Sequence, residues 1–426
     1  MRKSKAPLAL QAIQKKLVGK KLNYTEIYAI MDEIANEKLG DVLTTYFAAS
    51  GYSEGFSEQE IYYLTKAMVE TGERLHFSGI VADKHSIGGV PGTRTTLIVV
   101  PIIAAAGFKI PKSSSRAITT PGGTADDMET LAKVEFTKEE IYKIVKKTNG
   151  CIVWGGSFNI APADDVIIKV EEPLLFESYD KILISIMAKK IAFGSTHVVI
   201  DLPYGELVKV HRIKDAQVLK DKFEKLAKRF KIKLRVLIHK TDEPAGRGIG
   251  PVLECKESLA VLEQQPNRPF DLEERALNLS GTLLNLCLED APKTLREKIM
   301  QEYGGGHEWA RAILASGEAL KKMKEIIKAQ GGDPYISSSH LLPGKCQYKV
   351  IAKKNGTVRK IHSKNATIIA KLLGAPDVKK AGIYLDKKIG EKVYIGDTLY
   401  TLHTTTEYAL KEAIESTKNF PLFYYA

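Results

Sequence analysis

Hydrophobic positions near the start of the chain repeat with a helical period. The pattern predicts a small all-helical lobe with three helices, at residues 8–17, residues 25–39, and from a capping box at 57–60 to a stop at 71–72. In the second of these, Ile27, Ile30, Met31 and Ile34 form one apolar face. This part of the chain therefore reads as a helical bundle rather than as part of a sheet.

From residue 80 onward, short apolar runs alternate with helical patterns. Strands are predicted at 80–82, 109–111, 151–154, 197–201 and 234–238, and helices at 95–106, at 124–131, from Thr137, and at 218–229. After a linker at 330–344, alternating strands with glycine turns at 348–361 and 388–402 are typical of a compact α+β domain. The predicted fold class is α/β, with a helical lobe, a large α/β domain with a mixed sheet, and a C-terminal α+β domain.

The same pattern suggests three domains. We expect the helical lobe to comprise residues 1–75, joined by about 164–193. We expect the α/β domain to comprise 76–163 and 194–332, and the C-terminal domain 345–426.

Composition narrows the class of protein. With 44% hydrophobic and 27% charged residues, and no apolar run long enough to span a bilayer, the chain is expected to be soluble, without a membrane partner. It has no signal-peptide pattern, and its four cysteines are too widely spaced for a disulfide framework or a zinc site. We therefore expect a cytoplasmic protein without a metal.

The net charge of +12 invites a nucleic-acid interpretation. Its lysines, however, are scattered over predicted surface helices and the C-terminal part, without a continuous basic arm. We expect no nucleic-acid partner, and binding of nucleic acid stays a distant alternative that rests on charge alone. A positive field also suits small anionic substrates.

Two loops rich in glycine and hydroxyl groups carry the candidate chemistry, at Lys84–Gly92 and Ser113–Thr124. Each follows an apolar run and precedes a helix, where free backbone N–H groups can bind an anion, and Lys84 and Arg116 add positive charge. Two such loops indicate a substrate with more than one phosphate group, or phosphate as a co-substrate. Neither loop matches the common nucleotide-binding fingerprints. The alternative is that they are ordinary turns, with Thr124 opening a capping box.

The motifs resemble those of the thymidine and pyrimidine-nucleoside phosphorylase family over essentially the whole chain. The residues that carry this resemblance are Asp83-Lys84-His85-Ser86-x-Gly88-Gly89, Gly122-Gly123-Thr124-x-Asp126, and Ser185-Ile186-Met187-Ala188-Lys189-Lys190. Finer features are similar to motifs of the AMP phosphorylase branch of this family. They include Ser115-Arg116-Ala117-Ile118-Thr119 and Gly194-Ser195-Thr196-His197-Val198. The resemblance implies phosphorolysis of nucleoside 5′-monophosphates by a homodimer: AMP (or CMP or UMP) and phosphate give the base and ribose 1,5-bisphosphate. Phosphate is then the co-substrate, and no cofactor is expected.

The resemblance also implies roles for individual residues. Lys84, Ser86, Thr96 and Thr124 would bind the attacking phosphate. The nucleotide site would be lined by Gly89, Ser115, Arg116, Ala117, Ile118, Thr119, Thr120, Thr124 and Lys209, with Arg116 a cation for the 5′-phosphate. Ser185 and Lys189 would contact the base. Glu177 stands where AMP phosphorylases carry an aspartate that protonates the base, and His85 is a second catalytic candidate.

Several of these residues also have an interpretation in which they stabilise the fold and do not bind substrate. Arg116 could form a surface salt bridge instead, and Ser185 and Lys189 could lie on an ordinary helix surface. His85 could have a structural role. Asp164-Asp165 fits a turn or a cap better than a catalytic pair. Glu254 fits the monovalent-cation site of some relatives, and we leave it unassigned.

Rival functions differ from this pattern at identifiable positions. Val170 stands where nucleoside-specific members carry a pyrimidine-binding arginine, which argues against a dedicated thymidine or pyrimidine-nucleoside phosphorylase, the nearest rival. A phosphoribosyltransferase is similar in fold, but its G-T-G-G-D signature is not visible. AMP phosphorylases place an extra domain before the helical lobe, and we expect this chain to lack it, together with the large assemblies associated with it.

Overall fold

The computed structural model describes residues 5–53, 55–117, 120–171 and 178–426. The chain divides into two compact units. The first unit comprises the chain up to Asp83, Gly155–Val198 and Val218–Leu234, and the second comprises Lys84–Trp154, Val199–Gln217 and Arg235–Ala426. The three-domain division stays a prediction.

The helices are α1 Ala6–Leu17, α2 Tyr24–Ala35, α3 Gly40–Ser53, α4 Glu58–Glu70, α5 Thr96–Ala105, α6 Thr124–Met128, α7 Lys138–Thr148, α8 Pro162–Glu171, α9 Tyr179–Ala192, α10 Ile213–Arg229, α11 Pro251–Leu262, α12 Phe270–Leu288, α13 Lys293–Tyr303, α14 Gly306–Ala315, α15 Glu318–Ala329, α16 Ser363–Leu372 and α17 Glu407–Ser416. The strands are β1 Ala82–Ser86, β2 Ile110–Ser114, β3 Gly150–Trp154, β4 His197–Tyr204, β5 Lys233–Lys240, β6 Gly248–Ile249, β7 Cys346–Ile351, β8 Gly356–Ile361, β9 Gly382–Leu385, β10 Lys392–Val393, β11 Thr398–Thr404 and β12 Phe423–Tyr425. This order of elements confirms the predicted α/β class, with its N-terminal helices and its strand-rich C-terminal region.

The first unit begins with the predicted helical lobe, but in the described part of this segment four helices replace the three that were predicted. The predicted helix at 25–39 was too long, because α2 ends at Ala35 and the backbone then turns through positive φ at Glu37 and Gly40. The missed helix α3 follows, and it leaves Val42 and Tyr46 exposed, so its apolar positions do not mark one buried face. The capping box predicted at Ser57 is present.

In the α/β region, β1, β4 and β5 form a sheet in the order β1–β4–β5, and β2 runs parallel to β3. Both predicted loops begin later than expected, because Lys84, Ser86, Ser113 and Ser114 are strand residues. The pattern did not predict these residues as part of the strands, because polar side chains are rare at buried strand positions. The Lys84 side chain is nevertheless only 2% exposed.

The C-terminal part of the second unit is built on two small sheets. Their strand orders are β6–β9–β11–β7 and β10–β8–β12. Strand β6 pairs antiparallel with β9, so that Gly248 lies opposite Tyr384 and Ile249 lies opposite Ile383. A segment far upstream in the chain thus completes the C-terminal sheet. Within the described residues, no helix is both long and apolar enough to cross a membrane.

Candidate active site

Strand β1 brings a buried lysine to the start of α5. The Lys84 Nζ donates hydrogen bonds to Thr95 Oγ1 at 2.6 Å and to Thr96 Oγ1 at 3.2 Å. The structure thus places two of the predicted phosphate ligands, Lys84 and Thr96, side by side. Sequence reasoning missed Thr95, although it adjoins Thr96 at the same helix start.

Ser86 lies at the end of β1 and joins a second buried group. Its Oγ donates to Asp201 Oδ2 at 2.6 Å, and His239 Nε2 lies 2.6 Å from Asp201 Oδ1. Burial alone would raise the pKa of Asp201, but the His239 hydrogen bond and the Lys84 charge outweigh burial and lower it. Asp201 and His239 were missed because they lie on β4 and β5, far from Ser86 in sequence.

His85 lies on β1 between Lys84 and Ser86. Consecutive side chains of a strand point to opposite faces of the sheet, so the His85 ring faces away from its two neighbours. Its side chain is half-buried. The catalytic role of His85 stays a prediction.

The first loop packs closely on the segment that carries Lys209. Gly89 has a φ of 105°, and a Cβ built on it would lie 3.3 Å from the Lys209 backbone nitrogen. A larger residue at Gly89 would therefore meet both backbone strain and crowding. The structure thus brings together two predicted nucleotide-site residues.

One carboxylate ties the second loop to α6. Asp126 Oδ2 accepts hydrogen bonds from the backbone N–H groups of Ala117, at 2.7 Å, and Gly123, at 3.0 Å. The Ser115 carbonyl accepts from the Ala125 N–H at 3.2 Å. Thr120 Oγ1 donates to the Gly122 carbonyl at 2.8 Å, and Thr124 begins α6. The predicted contacts Ile118 and Thr119 lie outside the described residues.

Arg116 is held by carboxylates in this structure. Its Nη1 lies 2.8 Å from Glu129 Oε2, and its Nη2 lies 3.0 Å from Glu129 Oε1 and 2.8 Å from Glu135 Oε1. The guanidinium also stacks over the Trp154 ring at 4.8 Å. The hydrogen bonds from Arg116 help to lower the pKa of Glu129 to about 2. A 5′-phosphate bound by Arg116 would have to compete with these carboxylates.

A lysine from the C-terminal region shares the same carboxylates. Lys379 Nζ lies 2.9 Å from Asp126 Oδ1 and 2.8 Å from Glu129 Oε2. Since Lys379 follows α16 in the chain, the C-terminal region supports the second loop. No sequence motif indicated this contact.

Arg94 forms a buried ionic cluster behind the second loop. Its Nε lies 2.7 Å from Asp127 Oδ2 and 2.6 Å from Glu254 Oε2, and its guanidinium donates to the Gly122 carbonyl. Burial raises the pKa of both Asp127 and Glu254, and the Arg94 charge opposes that rise. Glu254, which sequence analysis left unassigned, thus pairs with an arginine. The described residues contain no group of three His, Cys, Asp or Glu side chains that could hold a metal.

In the first unit, a carboxylate joins the predicted base-binding residues. Asp164 Oδ2 accepts a hydrogen bond from Ser185 Oγ at 2.8 Å and lies 2.7 Å from Lys189 Nζ. Burial alone would lower the pKa of Lys189, but Asp164 and the neighbouring Asp165 raise it overall. Asp164 lies in the first turn of α8, and its side chain contacts Ser185 and Lys189 on α9.

Two further positions entered the prediction of how the base is bound and protonated. Glu177, the predicted general acid, lies outside the described residues. Val170 is buried on α8, at the position where the resemblance places a pyrimidine-binding arginine in nucleoside-specific enzymes.

Another buried pair adjoins Lys84 in the chain. Lys190 Nζ lies 2.6 Å from Asp83 Oδ2, which also accepts a hydrogen bond from Ser195 Oγ at 3.0 Å. All three residues are at most 5% exposed. Because a buried charge needs its partner, this pair fixes Asp83 relative to α9.

Family models match most of the chain. Residues 10–72 match the model described as glycosyl transferase family, helical bundle domain, and residues 78–320 match the a/b domain of the same family. Residues 357–420 match the pyrimidine nucleoside phosphorylase C-terminal domain.

Curated relatives extend over nearly the whole chain. An AMP phosphorylase of Methanocaldococcus jannaschii is 45% identical over 96% of this chain and 79% of its own length. An AMP phosphorylase of Thermofilum pendens is 43% identical, and a putative thymidine phosphorylase of Legionella pneumophila (strain Paris) is 42% identical, each over 96% of this chain and 76% of its own length.

Among solved structures, an anthranilate phosphoribosyltransferase from Thermus thermophilus has a similar fold. Its TM-score is 0.59 at 17% identity, and the match covers 75% of this chain and 99% of the other. This likeness concerns the fold alone.

Proposed function

Because the chain belongs to the glycosyl transferase family whose curated members include AMP phosphorylases, we propose that it is a pentosyltransferase that cleaves nucleoside 5′-monophosphates with phosphate. AMP and phosphate give adenine and ribose 1,5-bisphosphate, with CMP and UMP as further candidate substrates. The observation that carries the proposal is the 45% identity to an AMP phosphorylase over 96% of the chain.

Phosphate is the nucleophile in this reaction. A phosphate oxygen attacks C1′ of the ribose while the bond from C1′ to the base nitrogen breaks, and the bonding electrons leave with the base. Lys84 and Thr96, which lie within hydrogen-bond distance of each other, supply a cation and a hydroxyl for the attacking anion. Ser86 and Thr124 add further hydroxyl donors, and Asp201 orients that of Ser86.

The second loop is proposed to hold the 5′-phosphate of the nucleotide. Arg116 supplies the charge, and Ser115, Ala117 and Thr120 line the loop with backbone N–H and hydroxyl groups. To reach the ligand, Arg116 exchanges its contacts with Glu129 and Glu135 for the phosphate. Lys379 then neutralises the Glu129 carboxylate that Arg116 releases.

On the base side, Ser185 and Lys189 are proposed to contact the base. Asp164 restricts both side chains, because it accepts from Ser185 and pairs with Lys189. Glu177 donates a proton to the departing base, which is a poor leaving group as an anion.

The remaining assignments follow from the family resemblance. We propose that the enzyme acts in nucleotide salvage as a cytoplasmic homodimer that uses phosphate as co-substrate and no cofactor. Gel filtration with light scattering measures the oligomer directly, and a monomer of 47.1 kDa would contradict the dimer.

A thymidine or pyrimidine-nucleoside phosphorylase is the second candidate, because a Legionella relative with that putative name is nearly as similar. Rates of phosphorolysis of AMP, CMP, UMP, adenosine and thymidine separate the two. We expect AMP to be cleaved faster than either nucleoside, and comparable or faster cleavage of thymidine would contradict the proposal. A reaction that required magnesium and pyrophosphate would indicate a phosphoribosyltransferase instead.

A further inference from the structure

The second unit contains a cavity of about 630 Å³ against β5, α12 and α14. Its lining includes Asp201, His239, Arg275, Asn278, His307 and Arg311, and none of Lys84, Ser86, Thr96 or Thr124. It therefore shares Asp201 and His239 with the cluster around Ser86 but is otherwise built from different residues. Cavities of this size accommodate small metabolites.

Most of the charges around this cavity are already paired. Arg311 lies 3.0 Å from Glu274 and 3.8 Å from Glu308, and Lys240 lies 2.8 Å from Asp242. These pairs leave little net charge for a ligand. They also make Arg311 a matched control for any arginine whose charge is not paired.

Arg275 is the exception. It is half-buried, and its contact within the described residues is a hydrogen bond from Nη2 to Thr241 Oγ1 at 3.3 Å, with no carboxylate within 4 Å. Burial lowers the pKa of Arg275, and the more distant Asp201 and Asp271 carboxylates only partly oppose this effect. A guanidinium has five N–H donors, so most of those of Arg275 remain for an anion in the cavity.

A chain of hydrogen bonds connects Arg275 to Ser86. Thr241 Oγ1, which accepts from Arg275, lies 2.9 Å from His239 Nδ1. His239 Nε2 contacts Asp201, which accepts from Ser86. A ligand that alters the contact between Arg275 and Thr241 thus acts, through His239, on the carboxylate that holds a predicted phosphate ligand.

We propose that this cavity is a second anion site, in which Arg275 binds the phosphate group of a small phosphorylated metabolite that acts as an effector. An anion on Arg275 competes with the hydrogen bond from Arg275 to Thr241, and the contacts of Thr241 with His239 and of His239 with Asp201 carry that change to Asp201. Asp201 then accepts less strongly from Ser86, so the Ser86 hydroxyl is freer to bind the reacting phosphate. That the cavity binds an anion is argued from the cavity alone, whereas the role of this anion as an effector rests on the proposed function.

Calorimetry with inorganic phosphate, ribose 5-phosphate and AMP tests binding. In a Lys84→Met background, which disables the predicted co-substrate site, we expect Arg275→Gln to weaken phosphate or ribose 5-phosphate binding about tenfold to a hundredfold. Arg311→Gln, in the same cavity but already paired, should leave binding nearly unchanged. If Lys84→Met does not fold, Arg275→Gln alone should remove one of two phosphate ions bound to the otherwise unaltered chain.

The three probes also identify the ligand class, since tighter binding of ribose 5-phosphate than of inorganic phosphate indicates a phosphomonoester. Equal losses in the Arg275 and Arg311 variants, or no loss in either, would overturn the site. Because binding is measured without turnover, a chain that does not cleave AMP leaves this result intact.

Kinetics test the effector role. Ribose 5-phosphate should lower the KM for phosphate about fivefold or more in the unaltered enzyme and leave it unchanged in Arg275→Gln. Binding without any change in this KM would refute the communication with Ser86.

Discussion

Arg116 and Glu129 form a paired contact in which both terminal guanidinium nitrogens meet both carboxylate oxygens, at 2.8 and 3.0 Å. This geometry is the one that arginine also uses for phosphate. The carboxylates of Glu129 and Glu135 therefore occupy the guanidinium edge that a 5′-phosphate would need. Under the proposed role of Arg116, selectivity for nucleotides depends on an exchange of these carboxylates for the 5′-phosphate.

Replacing Arg116 tests this exchange. Arg116→Ala should raise the KM for AMP about tenfold to a hundredfold, because a charge-assisted contact contributes about 1.5–3 kcal/mol. The KM for phosphate should change little. Steady-state kinetics with each substrate varied in turn measure both values, and equal effects on the two would place Arg116 away from the 5′-phosphate.

Removing a competing carboxylate should have the opposite effect. Glu135 is 58% exposed, and exposed ion pairs contribute about 0.2–1 kcal/mol, so Glu135→Gln should lower the KM for AMP only a few-fold. The same variant should not change the KM for adenosine, which has no 5′-phosphate. A higher KM for AMP would show that Glu135 positions Arg116 rather than competing with the ligand.

Glu177 is the predicted general acid. Glu177→Gln keeps the shape but removes the proton, so kcat with AMP should fall about 10²–10⁴-fold while AMP binding stays largely intact. Glu177→Asp restores the acid and should stay within about one decade of the unaltered enzyme. Unchanged turnover and an unchanged pH profile in the Gln variant would show that Glu177 is a solvated residue without a catalytic role.

Asp164 positions Lys189 and keeps it protonated. The pKa of Lys189 is raised by Asp164 and Asp165, so Lys189 keeps its proton to higher pH than usual. Asp164→Asn removes the contacting charge, so the alkaline limb of the profile of kcat/KM against pH should move to lower pH. Asp165→Asn is the matched control and should produce a smaller shift. Identical profiles for all three proteins would mean that Asp164 has only a structural role.

Glu257 couples stability to pH. Burial raises its pKa to about 7, although the backbone N–H groups of Gly248 and Arg247 oppose that rise. Because the folded state holds this proton more tightly than the unfolded chain does, the stabilisation is complete below the ordinary pKa and is lost as pH rises through about 7.

The free energy of unfolding should therefore fall by up to about 3 kcal/mol between about pH 5 and pH 8, at 1.36 kcal/mol for each pKa unit. Glu257→Gln should flatten this fall in urea titrations at a series of pH values. Glu206→Gln, at an exposed position where the Lys360 hydrogen bond lowers the pKa, should leave it unchanged. A slope in Glu257→Gln equal to that of the unaltered protein would contradict the assignment.

Local signals predicted the local structure well. The capping boxes at Ser57 and Thr137 are present, because they depend on residues three positions apart. The strand ends were less accurate, because Lys84 and Ser113 are polar residues buried in strands, and no local pattern distinguishes them from loop residues. The helix α3 was missed because its apolar residues do not share one buried face.

By itself, the sequence determined the α/β class, the two candidate anion-binding loops and the resemblance to the phosphorylases, because these depend on short motifs and on periodicity. Only the tertiary structure decided which charges meet. Asp164 with Lys189, His239 with Asp201, and Lys379 with Glu129 are pairs from different elements, and no spacing along the chain indicates them. The physical reason is that an ion pair needs two side chains within about 4 Å, and folding alone sets that distance for residues far apart in sequence.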